Sequence, residues 1–128
     1  MQPIIIGLIF NQRQEILIAK RPSHKHLGGL WEFPGGKIEA NEDHFQALQR
    51  ELKEELNIDV INAQYFTEYD YQYHDISLKF HVWHVTQFTG EACGNEEQEI
   101  KWVKQQQLSE YQFPPSNNVI LEELIPVK

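Results

Sequence analysis

Cysteine is nearly absent. The one thiol in 128 residues, Cys93, excludes an internal disulfide, so the fold must rest on its core and the expected compartment is reducing and cytoplasmic. A chain of this length buries roughly two-thirds of its unfolded surface, which predicts one domain over residues 1–128. Long apolar runs are missing too. The stretch from Ile4 to Phe10 falls short of the roughly 18 residues that cross a bilayer and lacks the basic flank of a secretory signal. No membrane partner is expected. Positive charge is scarce, with 11 basic against 19 acidic residues and a net charge of -8. That excludes broad electrostatic binding to a nucleic-acid backbone. Repeats, linkers and low-complexity segments are absent. What remains, 41% hydrophobic and 23% charged residues, is the balance of a soluble globular protein, expected to be a monomer.

The pattern predicts strands, helix, strands, helix. Pro3 to Phe10 reads as a buried strand, with Glu15 to Lys20 as its hairpin partner across a polar turn. Arg21 to Gly29 reads as a polar loop. Leu30 to Phe33 reads as a short extended piece stopped by the Pro34-Gly35-Gly36 turn. Ile58 to Tyr73, Ile76 to Val85 and Glu99 to Val103 carry strand patterning. Phe113 to Asn117 is a rigid turn before a closing helix over 117–124. This order implies an α+β domain, a mixed sheet layered between helices.

The clearest period lies between Asp43 and Leu56, where Phe45, Leu48, Leu52 and Leu56 share an arc of about 80°. Asn41 is the predicted N-cap, and Asn57 suits the left-handed position that ends a helix. Largely opposite the apolar stripe stand Glu51, Glu54 and Glu55. Like charges three or four residues apart destabilise a helix by roughly 0.2–0.5 kcal/mol per pair. Arg50 is one cation among three carboxylates. A solvated acidic face is the ordinary outcome of such a pattern. Here, however, the acids follow a glycine turn, and Glu39 and Glu42 crowd the helix entrance. That combination points to a hard divalent cation held by oxygen ligands.

At these residues the sequence resembles a known family. Gly36, Glu42 and Arg50-Glu51-Leu52-Lys53-Glu54-Glu55-Leu56-Asn57-Ile58 are similar to the Nudix box, G-x5-E-x7-R-E-U-x-E-E-x-G-U, where U is bulky and aliphatic. Asn57 replaces the second glycine, a mild departure because Asn tolerates the left-handed conformation. Leu30 to Glu39 and the Phe113-Pro114-Pro115-Ser116-Asn117 turn resemble segments of the MutT-like 8-oxo-dGTP diphosphatases. The likeness covers nearly the whole chain and implies the Nudix fold, α/β/α. It also implies Mg²⁺-dependent hydrolysis of a nucleoside triphosphate to monophosphate and pyrophosphate, with Mn²⁺ an alternative metal.

The resemblance also implies roles. Glu54, Glu55 and the Gly35 carbonyl become metal ligands, and Glu51 either a further ligand or the base that deprotonates water. Arg50 orients Glu51 or Glu54. Glu96 completes the metal site, in a register that Glu97 also fits. Arg21, His26, Glu32, Phe33, Pro34 and Gly35 fall at nucleotide-contacting positions, with Phe33 equally suited to the core. Asn117 is either a helix N-cap or the reader of the base. An 8-oxo purine presents O6 as acceptor and N7–H as donor, whereas guanine presents two acceptors. One amide satisfies the first pair completely. Other Nudix substrates (ordinary nucleoside triphosphates, dinucleoside polyphosphates, ADP-ribose) and a non-catalytic nucleotide sensor are the competing readings. His74 and Asp75 match no position of the subfamily, and the Tyr69, Tyr71 and Tyr73 series reads as one face of a strand.

Overall fold

The computed structural model describes residues 1–25 and 27–125. The His26 assignment lies outside the described residues. The strands are β1 (Gln2–Ile9), β2 (Ile16–Lys20), β3 (Trp31–Glu32), β4 (Gly35–Lys37), β5 (Asp59–Tyr73), β6 (Ile76–Thr89) and β7 (Ile100–Val103), and the helices α1 (His44–Leu56) and α2 (Asn118–Leu124). Two 3₁₀ turns, Gln105–Glu110 and Pro115–Asn117, precede α2.

β1 carries isoleucine and leucine on both sides of the strand because both of its faces are covered. Ile6 and Leu8 enter one apolar cluster with Trp31, Phe33, Phe80, Ile120 and Leu124. Ile5 and Ile9 enter the other with Leu48, Leu52 and Leu56 of α1. A strand sends alternate side chains to opposite faces, so one strand serves both helix layers. The four-stranded sheet runs β4-β1-β6-β5 and the three-stranded sheet β3-β2-β7. β1 and β6 are parallel while their other partners are antiparallel, giving the mixed sheet between helices that the pattern implies.

The predicted hairpin is corrected. β2 joins the second sheet, against β3 and β7, and meets the first strand only at the Phe10↔Ile16 bridge. The turn itself is closed at Asn11, whose N–H donates to the Glu15 carbonyl at 3.0 Å. The Asn11 Oδ1 accepts from the N–H groups of Arg13 and Glu15 at 3.0 and 2.9 Å. A second correction concerns the Pro34-Gly35-Gly36 segment, which continues past proline as β4, pairing Ile5 with Gly36 and Ile6 with Gly35. The third is the helix cap. Asp43, not Asn41, is the N-cap, its side chain accepting from Gln46 N–H while Gln46 returns the bond; this capping box outcompetes Asn41, which sits in a turn at φ 72°. Asn57 ends the helix at φ 58°, ψ 37°, as predicted.

Close packing of α1 onto the sheet depends on Gly7. A Cβ there would stand 2.9 Å from Leu48 and 3.0 Å from Leu52. No helix among the described residues is long and apolar enough to cross a membrane.

Candidate active site

The acidic face of α1 lies beside β4, and the glycines of that strand let it approach. A Cβ on Gly36 would fall 2.5 Å from the Glu51 carboxylate, so only glycine leaves room for the acid. The Gly35 N–H donates to Glu55 Oε2 at 3.0 Å. Arg50 gathers the remaining acids. Its Nη1 donates to Glu51 Oε1 at 2.8 Å, its Nε to Glu42 Oε2 at 2.6 Å, and its Nη2 to the Lys37 carbonyl at 2.9 Å. Glu54 Oε2 lies 3.6 Å from Nη1. Arg50 thus ties helix to strand and orients Glu51.

The loop before β7 completes the wall. α1 leaves carbonyls unpaired at its C-terminus, as every helix does. Asn95 N–H and the Gln98 side chain donate to the Glu55 carbonyl at 2.9 and 3.0 Å. Asn95 Nδ2 donates to the Glu54 carbonyl at 3.0 Å. This docking brings Glu96 to a cavity of about 570 Å³ lined also by Glu32, Gly35, Glu51, Glu54 and Glu55. Glu97 does not line it. Lys20, Arg21 and Lys25 line the same cavity and form its basic wall, with His24 beside them.

Charge in this cavity is poorly compensated. Burial, then the neighbouring Glu51, Glu32 and Glu96, push the Glu55 carboxyl up to about 9. Burial also raises Glu51 and Glu32, opposed by Arg50 and Arg21 respectively. Among the described residues, no three acidic, histidine or cysteine side chains converge in ligating geometry. Glu51 is turned to Arg50 and Glu55 to Gly35. The donor set is nonetheless all oxygen, and the excess negative charge fits a hard divalent ion.

A second cavity of about 470 Å³ adjoins the first and shares Arg21, Glu32 and Gly35 with it. It is more apolar, lined by Ile4, Ile6, Phe33, Leu78 and Phe80, with Asn117 and Ser116 on one side. Arg21 Nη1 donates to Glu32 Oε1 at 3.1 Å across the shared edge. Phe33 is 1% exposed in the core, stacks on Phe113 and also lines the cavity. Pro34 lines neither cavity; it is buried and its carbonyl accepts from Gly7 N–H at 2.9 Å.

Asn117 is 5% exposed. It occupies the N-cap position of α2, yet its side chain makes no capping bond. Its Nδ2 donates to Ser116 Oγ at 3.3 Å, and its Oδ1 is buried with no partner. Buried acceptors are normally paired, so this oxygen stands out as unsatisfied, in a residue that lines the cavity and does not cap the helix. Sequence reasoning missed what holds this turn. Tyr69 donates to the Ser116 carbonyl at 2.6 Å and Tyr73 to Ser116 Oγ at 2.7 Å. The alternating tyrosines signalled one strand face, but not the turn docked on it. Asn95 and Gln98 were missed for the same reason: nothing local ties that loop to α1. His74 and Asp75 form the tight turn between β5 and β6.

The NUDIX domain model matches residues 5–123, and the chain belongs to the NUDIX domain family. It is 32% identical over 124 residues to the CTP pyrophosphohydrolase of Escherichia coli K12, covering 97% of this chain and 92% of that protein. It is 36% identical over 121 residues to the 8-oxo-dGTP diphosphatase of the same organism, covering 94% of each. A solved chain from work on MutT of Aliivibrio salmonicida and Vibrio cholerae superposes with a TM-score of 0.87 at 45% identity, covering 97% of this chain and 96% of that one.

Proposed function

We propose that this protein is a divalent-metal-dependent Nudix hydrolase that converts 8-oxo-dGTP to 8-oxo-dGMP and pyrophosphate, removing a mutagenic precursor from the nucleotide pool. The observation that carries the substrate assignment is the buried, unpartnered Oδ1 of Asn117 at the cavity that adjoins the acidic one. The amide offers one acceptor and one donor to a base edge. An 8-oxo purine returns N7–H and O6, whereas guanine sets its N7 acceptor against Oδ1. Sites that read a substrate by buried hydrogen bonds discriminate by roughly 10⁴-fold. Phe33, Phe80 and Leu78 supply the apolar walls for the base. The shared edge at Arg21, Glu32 and Gly35 leads the phosphates to the carboxylates.

Glu54, Glu55 and the Gly35 carbonyl, with Glu96, would hold Mg²⁺ or Mn²⁺. The bound ion supplies charge neutralisation for the phosphoryl oxygens and lowers the pKa of water. The chain's own contribution is positional. Arg50 holds Glu51 with one guanidinium nitrogen while anchoring on Glu42 and the Lys37 carbonyl. Glu51 is the carboxylate whose free oxygen takes the proton from the attacking water. The basic wall of Lys20, Arg21 and Lys25 offsets charge on the departing pyrophosphate.

The CTP pyrophosphohydrolase relative makes cytidine the natural competitor. The test is a panel of 8-oxo-dGTP, dGTP and CTP with Mg²⁺, with products separated by chromatography. The expected result is monophosphate and pyrophosphate, with the highest kcat/KM on 8-oxo-dGTP. Equal values across the purines reject the preference; diphosphate and orthophosphate reject the cleavage position.

A further inference from the structure

An amide reads an oxidised base only if its two ends are fixed. With Oδ1 toward the base, the site demands a donor on N7. Flipped, it sets N–H against N7–H and oxygen against O6, so the oxidised base loses both bonds, whereas ordinary guanine, with two acceptors, keeps one bond in either orientation. The surrounding hydrogen bonds decide which end faces which way.

In this chain those bonds come from β5. Residues four apart on a strand share a face, and Tyr69 and Tyr73 both reach Ser116, which is 4% exposed. Tyr69 pins its carbonyl at 2.6 Å and Tyr73 its hydroxyl at 2.7 Å. The same Ser116 Oγ accepts from Asn117 Nδ2 at 3.3 Å, while Asn117 N–H holds the Pro114 carbonyl at 2.9 Å. The backbone of the turn is therefore fixed by one tyrosine, and the rotamer of the serine hydroxyl by the other. The serine oxygen stays under Nδ2, and Oδ1 is left buried without a protein partner in a residue that lines the cavity.

We propose that Tyr73 and Ser116 are positioning residues that set the polarity of the Asn117 amide and so select purines bearing a hydrogen on N7. This rests on Asn117 being the base-reading residue. Without the Tyr73 hydroxyl, Ser116 is free to turn and donate to Oδ1, which stabilises the flipped amide. Without the Ser116 hydroxyl, neither orientation is favoured. Tyr69 acts on the backbone only and has no part in the choice.

The experiment measures kcat and KM on 8-oxo-dGTP and dGTP for wild type, Tyr73→Phe, Ser116→Ala, the double variant, Tyr69→Phe and Asn117→Ala. Tyr73→Phe and Ser116→Ala should each lower the 8-oxo-dGTP to dGTP ratio of kcat/KM by roughly tenfold. The change should appear as a raised KM for 8-oxo-dGTP, with the KM for dGTP little moved. The double variant should add little to either, since both break one relay. Tyr69→Phe should lower the melting temperature without moving the ratio. Tyr73→Phe keeps the ring and tests the relay even if Ser116→Ala fails to fold. A ratio unmoved by Tyr73→Phe, while Asn117→Ala collapses it, overturns the relay alone. A ratio unmoved by Asn117→Ala overturns the base-reading assignment, and the relay with it.

Discussion

Glu51 and Glu55 lie one turn apart on α1 but are held by different partners, a guanidinium for the first and a backbone N–H for the second. The difference separates their roles. Glu51 is oriented and partly neutralised; Glu55 is buried among like charges and pushed up to about 9. The same contrast between satisfied and unsatisfied groups identifies a second titrating site, remote from the acids. His84 stacks on Phe66 with rings 5.1 Å apart and meets the edge of Phe10, and its Nε2 has no partner. Burial lowers its pKa below 6.5, so on acidification the unfolded chain takes the proton first. Stability is full above about 6.5 and is lost as pH falls from there toward the depressed native value. His81, also lowered, chiefly by burial, acts in the same direction. Melting temperatures of wild type and His84→Phe between pH 7.5 and 5 check this: the variant's curve should be flatter on the acid side, and parallel curves would contradict the assignment.

At the scale of elements, α1 is positioned by what glycine omits. Gly7 admits Leu48 and Leu52, and Gly36 admits the Glu51 carboxylate. Gly36→Ala should displace Glu51 and cost about 100-fold in kcat, the penalty of a roughly 1 Å misplacement. Its melting temperature should change little, because the displaced group is an acid at the cavity edge rather than core. Steady-state kinetics beside a thermal melt separate the two effects. α1 was also the most legible element in the sequence, since its apolar period, acidic face and Asn57 terminus are all local signals. Its N-cap was misread at Asn41 because two capping residues compete within three positions, and the reciprocal bond from Gln46 decides for Asp43. The divergence of β2 into its own sheet was not legible. Hydrophobic alternation identifies a strand, but partners are chosen by contacts far along the chain, here with β7. The placement of Glu96 and the tyrosine support of Asn117 were hidden for the same reason.

At the scale of the molecule, the two cavities meet at one edge, so a nucleotide can place its base and phosphates in different chemical surroundings at once. The net charge of -8 ceases to oppose phosphate binding if a divalent cation stands between. A ligand that binds only the native state raises stability by RT ln(1 + [L]/Kd), about 2.7 kcal/mol at a hundredfold excess over Kd. Mg²⁺ should accordingly raise the melting temperature of the wild type. Glu55→Gln should lose most of that increment while gaining stability without metal, since it removes a carboxyl whose ionised form burial and like-charged neighbours disfavour in the folded state. A melting temperature indifferent to Mg²⁺ in the wild type would contradict the metal assignment. The acid cluster and the Asn117 turn were both readable as motifs. That they line adjoining cavities was readable only from the fold.

The most direct measurement is a crystal structure with 8-oxo-dGMP and Mn²⁺, with the metal located by its anomalous signal. The account predicts N7–H of the base on Asn117 Oδ1, O6 on Nδ2, and the phosphate at the wall of Glu54, Glu55 and Glu96. A base seated away from Asn117, or a metal bound elsewhere than among those glutamates, would contradict it.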